Sequence, residues 1–283
     1  MITLSRNCSR LRVKLRQQLG LSFGLLAFTA FCLWETQEGS AQALSTSLPS
    51  LESQYTAPPK HFIDRDNGAW LGLYTTYWLS EKWGYYGEYH IRRADLINRM
   101  SKLYLRFGIN YKVDSHLRFT GGVVNRYTWS DHPEDPLEET FVPEYRFWEQ
   151  ALFSSKHLGL KLYHQIRIEQ RWKRSTQIID PTYYYYNRFR YKFLAYAPIY
   201  GPLLETGSIF FCFYNEIFMQ AGKKIEYNYY EDNRTYAGLA YGLSDQIHLH
   251  IGYMKSFGQL DAFKFRNHDI FRLSIYHQMS FFN

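Results

Sequence analysis

Cysteine is nearly absent, with three residues in a chain of 283. Cys8 and Cys32 both lie in the first 43 residues, so Cys212 stands alone in the rest. A disulfide framework is thereby excluded beyond that point, and stability must come from packing and pairing. Long apolar runs are missing too: after residue 43 none approaches the roughly 20 residues a membrane-spanning helix needs. Apolar residues spaced for a helical face are scarce. The spacings of a P-loop, a Gly-rich dinucleotide turn and a Cys/His zinc finger do not occur. These absences remove the soluble nucleotide enzymes, the disulfide-stapled secreted domains and the helical membrane proteins from consideration.

The first 43 residues read as a part to be cut away. Arg6, Arg10, Arg12, Lys14 and Arg16 precede an apolar run over residues 19–34, and Ala41-Gln42-Ala43 supplies a small-x-small cleavage pattern. Positive start, apolar middle and small-residue end are the three parts of a secretory signal. At about 16 residues the run is short for a membrane anchor, the competing reading. Five of the 33 basic and two of the 26 acidic residues leave with it, so the mature chain carries 28 against 24. Residues 44–67 contain Pro49, Pro58 and Pro59 with little alternation and read as a periplasmic tail or linker. Residues 68–283 form one expected domain.

That domain is rich in rings. Aromatics make up 19% of the chain, with 26 Tyr, while mean hydropathy is −0.42. Tyr and Trp favour a membrane–water boundary because one end of the ring is apolar and the other polar. A low mean hydropathy is compatible with membrane strands, since only alternate residues face lipid.

The residues alternate with a period of two. In the run 160–172, Gln165, Arg167, Glu169 and Arg171 share one side, and His164, Ile166, Ile168, Gln170 and Trp172 the other. The run 144–153 sets Glu144, Arg146, Trp148 and Gln150 on its polar side. Leu103, Leu105, Phe107, Ile109 and Tyr111 likewise oppose Lys102, Tyr104, Arg106, Gly108 and Asn110. Eleven such runs follow one another: 68–79, 83–93, 100–113, 117–129, 143–153, 160–172, 183–195, 208–219, 233–243, 246–256 and 270–282. Most exceed the five or six residues of an ordinary strand and approach the ten of a membrane strand. Short connections at 80–82, 114–116, 154–159 and 244–245 alternate with longer ones at 130–140, 173–182, 220–232 and 257–269. The pattern is that of an all-β, transmembrane, antiparallel up-and-down barrel in the bacterial outer membrane. Because single-chain bacterial barrels have even strand numbers, the expectation is about twelve strands, with ten possible. The twelfth would lie near the N-terminus or within 196–204. A secreted soluble β-sandwich is the rival fold.

Several of these runs carry a resemblance. Trp70 near the first strand, EYRFWEQ at 144–150, RIEQRW at 167–172, RFRYKF at 188–193, YNEIF at 214–218, NRTYAGLAYGL at 233–243 and IGYM at 251–254 are similar to the family catalogued as domain of unknown function 2490. The resemblance covers nearly all the mature chain. It implies a bacterial outer-membrane β-barrel and brings no catalytic residue with it.

If the alternation closes into a barrel, the polar sides line the lumen. The lining set is Glu88, His90, Arg92, Arg106, Arg118, Glu144, Arg146, Arg167, Glu169, Arg171, Arg188, Arg190, Glu216, Arg234 and Arg272, with Lys102, Arg126 and Lys192 alongside. Thirteen of these are basic Arg or Lys and four are acidic. The loop over 130–140, with Asp131, Glu134, Asp135, Glu138 and Glu139, redresses the balance. Rings of Arg and Lys favour anions, so a passive, porin-like, anion-preferring channel is one reading. The plainer one is a structural barrel whose charges pair across strands and fill it. His248 and His250 share a face, but no third ligand completes a metal site, and no cofactor is expected. An outer-membrane esterase or phospholipase would need a serine beside a histidine such as His164 or His277, and the spacing offers none, so no catalytic residue is assigned. The expected partners are outer-membrane lipid and lipopolysaccharide, with no nucleic acid. Oligomeric state and solute are not encoded in any pattern found.

Overall fold

Side chains on a β-strand alternate between two faces, so a sequence that alternates polar and apolar residues asks for a sheet with two different environments. The described residues meet that demand with eleven strands. The computed structural model describes residues 62–130, 141–176, 178, 180–223 and 225–282. The expected leader, the tail up to residue 61 and the acidic residues 131–140 lie outside the described residues.

The strands are β1 (Phe62–Trp78), β2 (Trp83–Ala94), β3 (Arg99–Lys112), β4 (Leu117–Trp129), β5 (Phe141–His157), β6 (Leu160–Arg174), β7 (Tyr183–Tyr200), β8 (Ile209–Ala221), β9 (Tyr230–Gly242), β10 (Ile247–Gln259) and β11 (Lys264–Ser280). Each pairs antiparallel with the next, and β1 pairs with β11 to close a barrel. The closing pair is parallel, with Gly68 opposite Ile270 and Trp78 opposite Ser280. An odd number of up-and-down strands requires this, because the first and last then run the same way.

Two expectations are corrected here. Among the described residues the strands number eleven rather than twelve, and the eleven alternating runs correspond to them. The segment 196–204 holds no extra strand: β7 runs on to Tyr200, with Pro198 beside a register shift. The barrel also begins at Phe62, so the last six residues of the expected tail belong to β1. Connections differ as well. Between β5 and β6 the turn is only Leu158 and Gly159, both with positive φ (49° and 79°), the two-residue hairpin whose twist matches the strands. Between β10 and β11 the connection shrinks to 260–263 because both strands extend past their apolar stretch.

The two faces differ sharply. Outward, every strand exposes large apolar residues, among them Leu71, Ile91, Phe107, Phe119, Phe147, Ile166, Tyr191, Phe211, Leu239, Ile251 and Phe271. Inward sit the charges and two aromatic clusters. One comprises Trp70, Tyr196, Phe210, Cys212, Tyr214, Tyr236, Ala240, Met254 and Ile270; the other comprises Tyr86, Tyr104, Val124 and Trp148. Many rings therefore fill the interior, where the composition had suggested mainly a boundary role.

Glycine makes one such packing possible. Gly108 and Gly122 are cross-strand partners, and Trp148 lies opposite Gly122 on β5. A Cβ on Gly122 would fall 2.0 Å from the Phe107 carbonyl oxygen, and one on Gly108 would meet the Trp148 ring at 2.8 Å. The buried indole donates from Nε1 to that same Phe107 carbonyl at 3.3 Å.

Candidate functional site

Position along the strands decides which charges meet. Register places Arg146 opposite Arg171, Trp148 opposite Glu169, and Gln150 opposite Arg167, all on the inner face of the β5–β6 pair. Arg106 on β3 lies opposite Glu88 on β2 and Val124 on β4. Long guanidinium side chains then reach across the interior.

Glu169 accepts from Arg106 Nη2 at 2.7 Å and Arg146 Nη1 at 2.6 Å, with Arg188 Nη1 at 3.6 Å. Arg146 also donates from Nε to Glu144 at 2.8 Å, and Arg171 Nε donates to the same oxygen at 2.6 Å. Arg106 Nη1 donates to Glu88 at 2.5 Å, and Arg167 approaches that carboxylate at 3.4 Å. Arg171 and Arg188 both reach Glu231 on β9, three strands from β6. One connected lattice of ion pairs thus spans the lumen. Its members are desolvated: the side chains of Arg146, Glu144 and Glu169 are 1%, 2% and 3% exposed.

Of the fifteen lining residues expected from the alternation, twelve are buried: Glu88, His90, Arg92, Arg106, Glu144, Arg146, Arg167, Glu169, Arg171, Arg188, Glu216 and Arg272. Arg118, Arg190 and Arg234 are half-buried. Arg190 and Lys192 flank Glu216, the latter at 3.0 Å. Lys102 and Arg126 are also half-buried, and Arg126 donates to Glu144 at 2.5 Å.

Two inner carboxylates escaped the sequence reading. Glu231 and Asp232 precede the alternating part of β9, and a bulge there breaks the register between Phe218 and Met219. A bulge lets two neighbouring residues turn to one side. Glu231 bonds Arg171 and Arg188; Asp232 accepts from Arg234 at 2.8 Å and Ser256 at 2.7 Å.

Aromatic faces hold much of the remaining positive charge. The Arg92 guanidinium sits 3.5 Å from the centroid of Trp70 and 4.2 Å from that of Tyr104. Lys192 lies 3.7 Å from the Tyr214 ring. Arg272 donates to the hydroxyls of Tyr74 and Tyr214 and to Ser274. A ring's negative face substitutes for a missing carboxylate.

On the turn side of the lattice, toward the hairpins 79–82 and 113–116, the interior opens into a cavity of about 550 Å³. Its walls include Trp70, Trp78, Tyr163, Tyr276, Lys112, Arg118, Lys161 and Lys192, and its floor is formed by Glu88, Arg167 and their neighbours. His248 and His250 lie on this wall: His248 Nε2 is 3.1 Å from the Leu204 carbonyl, and the His250 ring lies 4.3 Å from that of Tyr276. Among the described residues no group of three or more His, Cys, Asp or Glu is placed to hold a metal. On the outer face, His164 Nδ1 is 2.8 Å from the Tyr191 hydroxyl and His277 Nδ1 is 3.0 Å from that of Tyr77.

The arrangement can hold charge, exclude water at the lattice and receive a solute from the turn side. The chain matches no curated protein and no solved structure. A family model described as "Protein of unknown function (DUF2490)" matches residues 67–267, which begin within β1, end within β11 and take in every strand between. The chain belongs to that family of unknown function.

Proposed function

We propose that this chain is a bacterial outer-membrane β-barrel with a sealed lumen, a structural barrel with a blind vestibule open on its turn side. The observation that carries the reading is the inversion of its two faces. Large apolar side chains stay exposed outward on all eleven strands, while Arg and Glu are buried inside. A water-soluble barrel would do the reverse, whereas a barrel in lipid satisfies both faces and leaves no sheet edge unpaired. Lipid and the acyl chains of lipopolysaccharide are the partners such an outer band meets. The signal-like pattern at the start of the sequence agrees with this location, and short turns conventionally face the periplasm, which would open the vestibule there.

The lattice argues against a standing channel. An anion path needs positive charge left free to meet the ion. Here Arg106, Arg146, Arg171 and Arg188 are each shared between two carboxylates at a level where the side chains are almost fully desolvated. No observation favours the lipid-modifying enzyme: the two outward histidines meet tyrosine hydroxyls.

Two measurements test the reading. Membrane fractionation with a heat-modifiability gel should place the chain in the outer membrane, with a mobility change on boiling. Planar-bilayer recording of the refolded chain should then show no steady conductance. Recovery in the soluble periplasm would overturn the location. A stable, anion-selective conductance step would overturn the sealed lumen.

A further inference from the structure

The cations at the mouth of the vestibule differ from those deeper in the barrel. Lys112 and Arg118 are direct cross-strand partners on β3 and β4, both turned inward. Lys112 Nζ lies 4.9 Å and the Arg118 guanidinium 5.9 Å from the centroid of one ring, Trp78. Lys161, at the start of β6, lies 5.5 Å from the Tyr163 ring on the same wall. None of the three has a carboxylate partner among the described residues. Arg118 Nε is buried and has no hydrogen-bond partner there.

The carboxylate that lines the cavity mouth beside these cations, Asp114, is occupied elsewhere. Asp114 Oδ1 accepts the backbone N–H groups of His116 at 2.7 Å and Leu117 at 2.9 Å, closing the β3–β4 turn. Like charges directly opposite one another on a sheet repel. Lys112 and Arg118 are nevertheless held side by side, half-buried, with only a shared indole between them and an open cavity in front. Among the described residues no carboxylate supplies this cluster with a counter-charge. A planar guanidinium fork beside two ammonium point charges suits an oxyanion with several acceptor oxygens, which all three can share.

We propose that the turn-side vestibule binds a phosphate-bearing ligand, whose oxyanion is held by Arg118, Lys112 and Lys161 against the Trp78 wall. The proposal rests on the sealed-lumen reading only in that the ligand enters and leaves by the same mouth. The phosphate could belong to a soluble ester or to a lipid headgroup presented at the rim.

The test is calorimetric titration of the full mature chain, refolded in neutral detergent, with two probes. Inorganic pyrophosphate represents the soluble source and short-chain phosphatidic acid the lipid source. Saturable one-to-one binding of either probe, weakened by added salt, is expected. Whichever probe binds identifies the source. Arg118→Gln should weaken binding at least tenfold and Lys112→Gln or Lys161→Gln by less. Lys82→Gln, an exposed charge on the same rim but outside the cavity, should leave it unchanged. A gel shift on boiling checks that each variant is folded, and conductance of the same samples tests the seal separately. No saturable binding of either probe would overturn the site. So would an equal loss in Lys82→Gln, which would mean diffuse attraction to a basic rim.

Discussion

Replacing Glu169 by alanine removes the carboxylate that joins three guanidinium groups. Arg106 and Arg146 donate to it at 2.7 and 2.6 Å, and Arg188 lies at 3.6 Å. Breaking a buried ion pair by deleting one partner costs about 3–5 kcal/mol, mostly because the other charge is left buried and uncompensated. Each orphan here keeps a second carboxylate: Arg106 has Glu88, Arg146 has Glu144 and Arg188 has Glu231. We therefore expect the lower end, about 3 kcal/mol, or roughly a hundredfold shift in the unfolding equilibrium. A matched control lies on the neighbouring strand. Glu149 points outward, is exposed and receives only Gln170 Nε2 at 3.3 Å. In lipid, Glu149→Ala removes a charge from an apolar surface, so it should leave stability equal or slightly higher. Urea titration in lipid vesicles, followed by gel mobility, measures both. The reasoning is refuted if Glu169→Ala stays within about 0.5 kcal/mol of the parent, or if Glu149→Ala costs as much as Glu169→Ala.

Three further outcomes are open to measurement. Ile168→Arg puts a charge on the outer face of β6 and should cost about 2–4 kcal/mol in the same vesicle assay if that position lies near the bilayer midplane; an unchanged midpoint would mean that this face does not meet lipid. Gly122→Ala forces a methyl against the Phe107 carbonyl and should cost about 3 kcal/mol, at the upper end for overpacking. Gly121→Ala, whose nearest neighbouring atom is 3.8 Å away, should be close to neutral. Equal effects would dismiss the glycine argument. Two backbone N–H groups hold the Asp114 carboxyl below its usual range. Its folded value is the lower one, so its contribution to the β3–β4 turn is complete above the unfolded value of about pH 4 and is lost as the pH falls from there through the lower folded value. Amide exchange at His116 and Leu117 should quicken on acidification, and rates flat with pH beyond the intrinsic trend would refute it.

Period-two alternation made the eleven strands legible because each must satisfy both lumen and exterior. What it could not show is which strands meet at the seam. Adding a twelfth strand relied on a rule of even numbers, and a parallel β1–β11 pair makes an odd number close equally well. Strand ends were also hidden. The residues Ile63 to Asn67, with Phe257 to Gln259 and Lys264 to Asp269 at the β10–β11 end, show no clear alternation. They read as loop, yet backbone pairing continues there whether or not a side chain is apolar. Glu144, Arg146, Arg167, Glu169 and Arg171 share one buried face because register carries a period of two across a hairpin without slipping. Glu231 was hidden from the alternation, since a bulge is where that period fails. The excess of inner Arg over Glu suggested free positive charge. Nothing in a one-dimensional pattern reveals that Trp70, Tyr104 and Tyr214 stand under those cations.

The parallel seam has one more consequence, for sidedness. Phe62 begins beside Lys264 and Ser280 ends beside Trp78, so the chain enters the barrel at one rim and leaves it at the other. In a barrel with an even strand count both ends emerge together, and a tag on either gives the same answer. Here an epitope placed ahead of β1 and another placed after β11 start from opposite mouths. Protease protection of the pair in intact and permeabilised cells would therefore orient the whole molecule.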